Sequence, residues 1–234
     1  MNRVHLEVIA TTLSDVKAAQ AGGADRIELI TAGAEGGLTP SYALIEQAVQ
    51  AAHIPVRVMI RPHARSFVYD KDDCMTIVRD IQMAKQAGAE AIVFGALTAE
   101  GKVDEHLLAE VLKQAEGMSI TFHRAIDESI DLMEVLQVLK RHSSITDVLT
   151  SGGQPTAQDG AVQLQQLVND AGPNGLRIVA GSGISSDNVQ TVIRETGVPW
   201  VHAGSSVRHD GLMGNAVDAE RVKQLRALLD EVSV

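Results

Sequence analysis

The feature that most constrains this chain is an alternation of strand-like and helix-like segments that runs from one end to the other. Eight short segments rich in β-branched residues, each followed by a turn and an amphipathic segment, begin near Val4, Asp25, Val56, Ala91, Met118, Thr146, Leu176 and Pro199. Successive strands are about 28 residues apart, which suits a (β/α)8 barrel of about 250 residues. We therefore predict an α/β fold, a single (β/α)8 TIM barrel over residues 1–234, with a doubly wound open sheet as the alternative.

The composition fits such a domain and limits the kinds of partner that it can bind. Hydrophobic residues make up 45% of the chain and charged residues 21%, as in ordinary globular domains. The formal net charge of −10 argues against general binding to nucleic acid or to anionic membrane surfaces. The sequence shows neither a secretory signal pattern nor a run of about 18 apolar residues. We expect a cytoplasmic protein that contacts neither nucleic acid nor membrane.

Several predicted strands alternate polar and apolar residues, whereas strands of a parallel sheet covered on both faces are usually apolar throughout. In the first strand Leu6 and Val8 belong to the apolar set, so Glu7 points the other way. The same period of two, applied to the second, third, fifth and eighth strands, sends further ionisable side chains toward the barrel axis. Those nearest the C-terminal ends of the strands are Glu7, Glu28, Arg61, His123 and His202.

This convergence predicts a functional site, because the C-terminal face of a TIM barrel carries its active site. His123 and His202 are candidate general acids or bases, and Glu7 or Glu28 would orient them or share that role. Arg61 and Arg124 suit bidentate contacts to a carboxylate or phosphate. We predict a catalytic set of Glu7, Glu28, Arg61, His123, Arg124 and His202. The alternative is that these Glu, Arg and His side chains bond only to one another and serve only to fix the register of the strands.

Three late loops are rich in glycine and serine, which lets backbone N–H groups close on an anion. The loops after the seventh and eighth strands form the usual phosphate site of such barrels. We predict that these loops form a binding site for a small anionic ligand. The alternative is that their glycines serve only to allow tight turns. The residues of the predicted site are Ser151, Gly152 and Gly153 after the sixth strand, Gly181, Ser182 and Gly183 after the seventh, and Gly204 and Ser205 after the eighth.

Six motifs carry a family resemblance that runs in order through nearly the whole chain. They are ADRIEL at 24–29, EGGLTPS at 35–41, MIRP at 59–62, TFHRA at 121–125, VLTSG at 148–152 and AGSG at 180–183. Together they resemble CutC, the copper homeostasis protein family. The resemblance implies a cytoplasmic TIM barrel, often oligomeric, that acts in copper tolerance or trafficking, and it implies copper as the ligand.

The side chains that could coordinate a metal bear on whether copper is the ligand. Copper(I) prefers thiolates and thioethers, yet Cys74 is the only cysteine and falls in a predicted helix. A harder divalent metal bound by Glu28, His123 and His202 is a second option. Two functions therefore stay open: a role in copper homeostasis, or an enzyme that acts on a small phosphorylated or carboxylated metabolite by isomerase-type or lyase-type acid–base chemistry.

Overall fold

The computed structural model describes residues 3–172 and 175–232. Within them, eight parallel strands close into a barrel in chain order, and β1 is hydrogen-bonded to both β2 and β8. This closure confirms the predicted TIM barrel and excludes an open sheet. The strands are β1 (His5–Ala10), β2 (Arg26–Leu29), β3 (Val56–Met59), β4 (Ala91–Phe94), β5 (Ser119–Phe122), β6 (Ile145–Thr150), β7 (Arg177–Ala180) and β8 (Trp200–Ala203).

A helix follows each strand and packs on the outside of the barrel. The helices are α1 (Leu13–Ala21), α2 (Tyr42–Ala51), α3 (Lys71–Gln86), α4 (Glu105–Gln114), α5 (Leu132–Leu139), α6 (Ala161–Ala171), α7 (Val189–Thr196) and α8 (Ala219–Asp230). Oxygen-bearing side chains start several of them; Asp70, for example, accepts from the N–H groups of Asp72 and Asp73. Across the described ranges, no helix is long and apolar enough to cross a membrane.

The hydrophobic core lies between the strands and the helices. The outward residues of β1 and β2, including Leu6, Val8 and Ile27, are fully buried in this layer. Charged inward residues of the same strands, such as Glu7 and Arg26, are also buried, as the alternation in the sequence predicts. The barrel interior is therefore polar, and this interior positions the candidate site.

Candidate functional site

A cavity of about 530 Å³ opens at the C-terminal ends of the strands. Five of the six predicted catalytic residues line it. The sixth, Glu7, lies deeper and is fully buried. The five predicted residues in the lining are Glu28, Arg61, His123, Arg124 and His202, and the other charged or polar side chains there are Glu35, Asp127, Glu128, Gln154, Ser182 and Ser205. The apolar lining residues are Ile9, Ile30, Met59, Phe67, Leu149, Ile184 and Met213.

His202 on β8 connects the carboxyl groups of β1 and β2. Its Nδ1 lies 2.7 Å from Oε1 of Glu7, and its Nε2 lies 3.7 Å from Oε2 of Glu28. Burial alone would lower the pKa of His202, but the charge of Glu28 and the bond to Glu7 outweigh it and raise that pKa. We therefore assign a proton to Nδ1, which donates to Glu7.

Glu7 is held as a carboxylate by the layer beneath the cavity. Burial opposes its charge, yet Arg26 and His202 together keep the pKa of Glu7 far below its usual range. The Nε atom of Arg26 lies 2.5 Å from Oε2 of Glu7, and its Nη1 lies 3.1 Å from Oδ1 of Asp147. Asp147 also contacts Arg57 at 2.8 Å and Arg177 at 2.7 Å. Every carboxylate here is matched by a guanidinium, as buried charges require.

Glu28 is the carboxyl group of this network that faces the cavity. Its side chain is nearly fully buried, and its Oε1 has no hydrogen-bond partner in the described part of the chain. Burial is the main cause that raises the pKa of Glu28 to about 7, while His202 and Glu7 act on it in opposite directions. A pKa close to neutrality lets one group both take up and release a proton. Glu28 is thus suited to move a proton at the cavity wall.

His123 also presents an unsatisfied atom in this buried wall. Its Nδ1 accepts a hydrogen bond from the backbone N–H of Ala125 at 3.1 Å, so Nδ1 carries no proton. The neutral ring then bears its proton on Nε2, which is buried and has no acceptor among residues 3–172 and 175–232. The ring fits because residue 95 is glycine: a Cβ there would lie 2.5 Å from Nδ1 of His123.

Burial and the charge of Arg61 together keep His123 neutral. Burial, followed by the positive charge of Arg61, lowers the pKa of His123 to about 3. The ring of Phe67 packs against both groups, with its centroid 4.8 Å from that of the imidazole and 4.6 Å from the guanidinium carbon. Arg61 donates through Nη1 to the carbonyl oxygens of Glu35 and Gly37, and its buried Nε has no acceptor within the described ranges. Arg61 and His123 thus each keep one buried N–H group without an acceptor among the described residues.

The loop after β6 already holds an anion, which is the protein's own Asp127. The carboxylate of Asp127 accepts from the backbone N–H groups of Ser151 and Gly153 and from the hydroxyl group of Thr150. Arg124 donates to it at 2.8 Å and to Oγ of Ser151 at 2.9 Å. These predicted ligand groups thus fix the Arg124 side chain at the rim of the cavity.

The loops after β7 and β8 leave their N–H groups open. Ser182 and Gly183 line the cavity, both with positive φ, and their N–H groups find no acceptor among residues 3–172 and 175–232. The same holds for Gly204 and Ser205, which also line the cavity. Gly181 lies behind them and donates its N–H to Thr150. Gly152 likewise donates to the Thr150 hydroxyl group. Two of the three predicted loops therefore have free donors.

The donor set of the cavity fits a metal ion poorly. One ligand atom each from Glu7, Glu28 and His202 lie within 4.8 Å of one another. However, both oxygens of Glu7 are already bonded to Arg26 and His202, and the guanidinium of Arg26 would repel a cation. Cys74 sits half-buried on α3, away from the cavity lining, where burial raises the pKa of its thiol.

The sequence reasoning missed two acidic residues that organise the site. Asp147 forms ion pairs with three arginines inside the barrel, and Asp127 accepts hydrogen bonds from the loop after β6. Asp147 could have been found, because a period of two along β6 places it inward with Leu149. Asp127, by contrast, bonds to a different loop from its own. Such a contact between loops follows no periodic pattern that could be found in the sequence.

Comparison with known proteins identifies the family. The model of the CutC family matches residues 4–207. A CutC family protein of Glaesserella parasuis is 41% identical over 218 residues, which cover 92% of this chain and 87% of that protein. Another, of Sinorhizobium medicae, is 37% identical and covers all of this chain.

Solved structures give the same result. The structure named as the copper homeostasis protein CutC of Streptococcus agalactiae superposes with a TM-score of 0.80 at 30% identity, covering 85% of this chain and 97% of that one. A thiamine phosphate pyrophosphorylase of Pyrococcus furiosus shares the fold at 18% identity, with a TM-score of 0.67. On the family model and these relatives, the chain belongs to the CutC family.

Proposed function

We propose that this chain is an enzyme that binds a small phosphorylated or carboxylated metabolite at the barrel mouth and transfers a proton on it. The observation that carries the proposal is Glu28: a buried carboxyl group with an unpartnered oxygen in a cavity wall and a pKa near 7. General acid–base catalysis works best with a group of this kind. We further propose that the reaction takes place in the cytoplasm.

Two groups of donors at the cavity support an anionic ligand. Arg61 has a buried Nε without an acceptor among the described residues. The loops after β7 and β8 offer backbone N–H groups, among them those of Gly183 and Ser205. Apolar side chains such as Met59 and Met213 also line the cavity. The ligand we propose is therefore a short carbon skeleton with an anionic end.

The proposal is tested by metabolite capture. Protein purified without denaturation is extracted and analysed by mass spectrometry, and its melting temperature is measured against phosphorylated and carboxylated metabolites. We expect at least one compound to co-purify and to raise the melting temperature. The Glu28→Gln variant should keep binding and lose turnover, whereas Glu110→Gln, on the exposed face of α4, should match the wild type. An empty cavity together with no thermal response would refute the proposal.

We also propose a role in copper homeostasis, because the Streptococcus agalactiae relative is named for it. The donors in the cavity favour a small-molecule route to this role over direct storage of Cu(I). Cu(I) prefers thiolates and thioethers, and the cavity lining contributes only the thioethers of Met59 and Met213.

An anaerobic Cu(I) titration against a competing chelator separates the two routes. We expect weak binding that Cys74→Ser removes and that Met213→Leu leaves unchanged. Tight binding that survives Cys74→Ser and is lost in the Met213→Leu variant would instead establish copper as a cargo of the barrel mouth.

A further inference from the structure

Two buried groups at the mouth complement each other chemically. Glu28 presents an oxygen without a hydrogen-bond partner, and His123 presents an Nε2–H without an acceptor. Both side chains line the same cavity. Leaving two buried polar atoms unsatisfied costs stability, so an open acceptor and an open donor on residues of the same cavity lining point to ligand atoms that complete both.

The hydrogen bond from Ala125 limits what His123 can do. With Nδ1 engaged as an acceptor, the ring cannot take a second proton unless that backbone bond breaks. Loss of the Nε2 proton would leave an imidazolate, which is far less stable. His123 is therefore a fixed neutral donor. Such a donor suits an oxygen that gains negative charge during a reaction, rather than a leaving group that must be fully protonated.

Building on the proton-transfer role proposed above, we infer that the substrate is an enolisable carbonyl compound, whose α-proton Glu28 removes while His123 donates its Nε2–H to the carbonyl oxygen. The C–H bond next to the carbonyl breaks, and its proton forms an O–H bond with the Glu28 carboxylate. The electron pair forms the C=C bond of an enolate, and the carbonyl π electrons move to the oxygen. Return of the proton from Glu28 regenerates the carboxylate.

The surroundings of both groups support this chemistry. Around Glu28 stand His202 and Glu7, and beneath them Arg26 and Arg57, so its charge is set by a fixed network. The positive charge of Arg61 next to His123 further stabilises an enolate oxygen. Burial strengthens both effects, because the surrounding dielectric is low.

Deuterium exchange tests the inference. The probes are short-chain aldehydes and ketones that carry a phosphate or carboxylate group, incubated with the protein in D2O. Proton NMR follows the loss of their α-C–H signals, and saturation-transfer NMR reports binding. We expect exchange with at least one probe, and a loss of about 100-fold or more in Glu28→Gln, the size usual for removal of a general base.

Variants at His123 separate a donor from a merely structural ring. His123→Gln keeps a neutral N–H donor on a side chain of similar length and should retain part of the exchange. His123→Leu removes the donor and should lose more. The exposed His106 provides the matched control, and His106→Gln should exchange like the wild type. Equal exchange in the Gln and Leu variants at position 123 would overturn the assigned role.

The outcomes distinguish this inference from the proposed function. Probes that bind without any exchange would overturn the carbonyl inference and leave proton transfer on another substrate standing. A panel in which nothing binds would count against both. Nitrogen-15 NMR of the histidines gives a test without any substrate: His123 should show protonated Nε2 and bare Nδ1 down to about pH 4. A doubly protonated ring at pH 6 would overturn the inference.

Discussion

The imidazole of His202 is bonded through Nδ1 to Glu7 at 2.7 Å and faces Glu28 through Nε2 at 3.7 Å. This arrangement assigns different roles to two carboxyl groups on neighbouring strands. Glu7 is bonded on both oxygens and remains ionised, whereas Glu28 keeps a free oxygen and a pKa near 7. Pairs of titratable groups whose environments separate their pKa values mark acid–base sites.

Replacing Glu7 with Gln should lower the pKa of His202. The substitution keeps the shape of the side chain and removes the negative charge that stabilises the imidazolium. We expect the pKa of His202 to fall by about 1–3 units, the usual effect of losing an opposite charge in contact. Nitrogen-15 NMR titration measures it, with the His202 signals assigned from a His202→Gln variant.

The control for this change is Glu110→Gln, which removes an exposed carboxylate of α4. It should leave the titration of His202 unaltered. If the Glu7→Gln protein folds and its His202 titrates as in the wild type, then Glu7 does not set the charge of the ring.

Glu28 should make the protein less stable as the pH rises. Its folded pKa of about 7 exceeds the ordinary value of 4.5, so between these pH values the folded chain holds a proton that the unfolded chain has released. The contribution of Glu28 to the free energy of unfolding must therefore fall across that interval. Glu28→Gln removes this loss and should stabilise the protein at pH 8 by on the order of 2–3 kcal/mol, with little effect at pH 4.

Urea unfolding of the wild type and Glu28→Gln at pH 4 and pH 8 provides the measurement. The key quantity is the difference between the two proteins at each pH, because groups that do not interact with Glu28 titrate equally in both and only Glu28 and its partner His202 change. A difference that does not grow from pH 4 to pH 8 would contradict the raised pKa.

Removal of Asp127 should create an anion site in the loop after β6. The carboxylate satisfies the N–H groups of Ser151 and Gly153 and the hydroxyl of Thr150, so Asp127→Ala leaves several polar groups without partners. We expect a loss of about 2–4 kcal/mol in the free energy of unfolding. Acetate at millimolar concentration should restore part of it, as measured by urea unfolding.

Asp131 offers a matched comparison. It also accepts two backbone N–H bonds, from Met133 and Glu134 at the start of α5, but on the exposed surface. Asp131→Ala should cost about 1 kcal/mol, as for loss of a helix cap, and acetate should not restore it. Identical acetate responses of the two variants would show that the Asp127 cradle is not specific.

The parts of this molecule that the sequence predicts are those with a period. Alternation along β1 and β2 places Glu7 and Glu28 inside the barrel, and the spacing of the strands fixes the closure. Contacts between loops have no period, so the capture of Asp127 by the loop at Ser151 could not be predicted. Oε1 of Glu28 has no partner among the described residues because the neighbouring side chains bond to other groups, and only the three-dimensional structure shows which groups those are.

Gly95, at the end of β4, should be essential for the position of His123. The backbone at this position does not require glycine, because the φ angle of Gly95 is not positive. The constraint is the close approach of the ring, since a Cβ at this position would lie 2.5 Å from Nδ1 and 2.6 Å from Cε1 of His123. Gly95→Ala must therefore displace the ring or the neighbouring Ala125, whose bond to Nδ1 fixes the tautomer.

We expect Gly95→Ala to cost about 1–3 kcal/mol of stability through overpacking, and to change the nitrogen-15 shifts of His123 toward a mixture of tautomers. Urea unfolding and histidine NMR measure the two effects. Gly214→Ala is the control, because a Cβ at that position meets no atom within 4 Å among the described residues. If the NMR signals of His123 are the same in Gly95→Ala as in the wild type, then the close approach of Gly95 does not hold the ring, and the fixed neutral donor must depend on Ala125 alone.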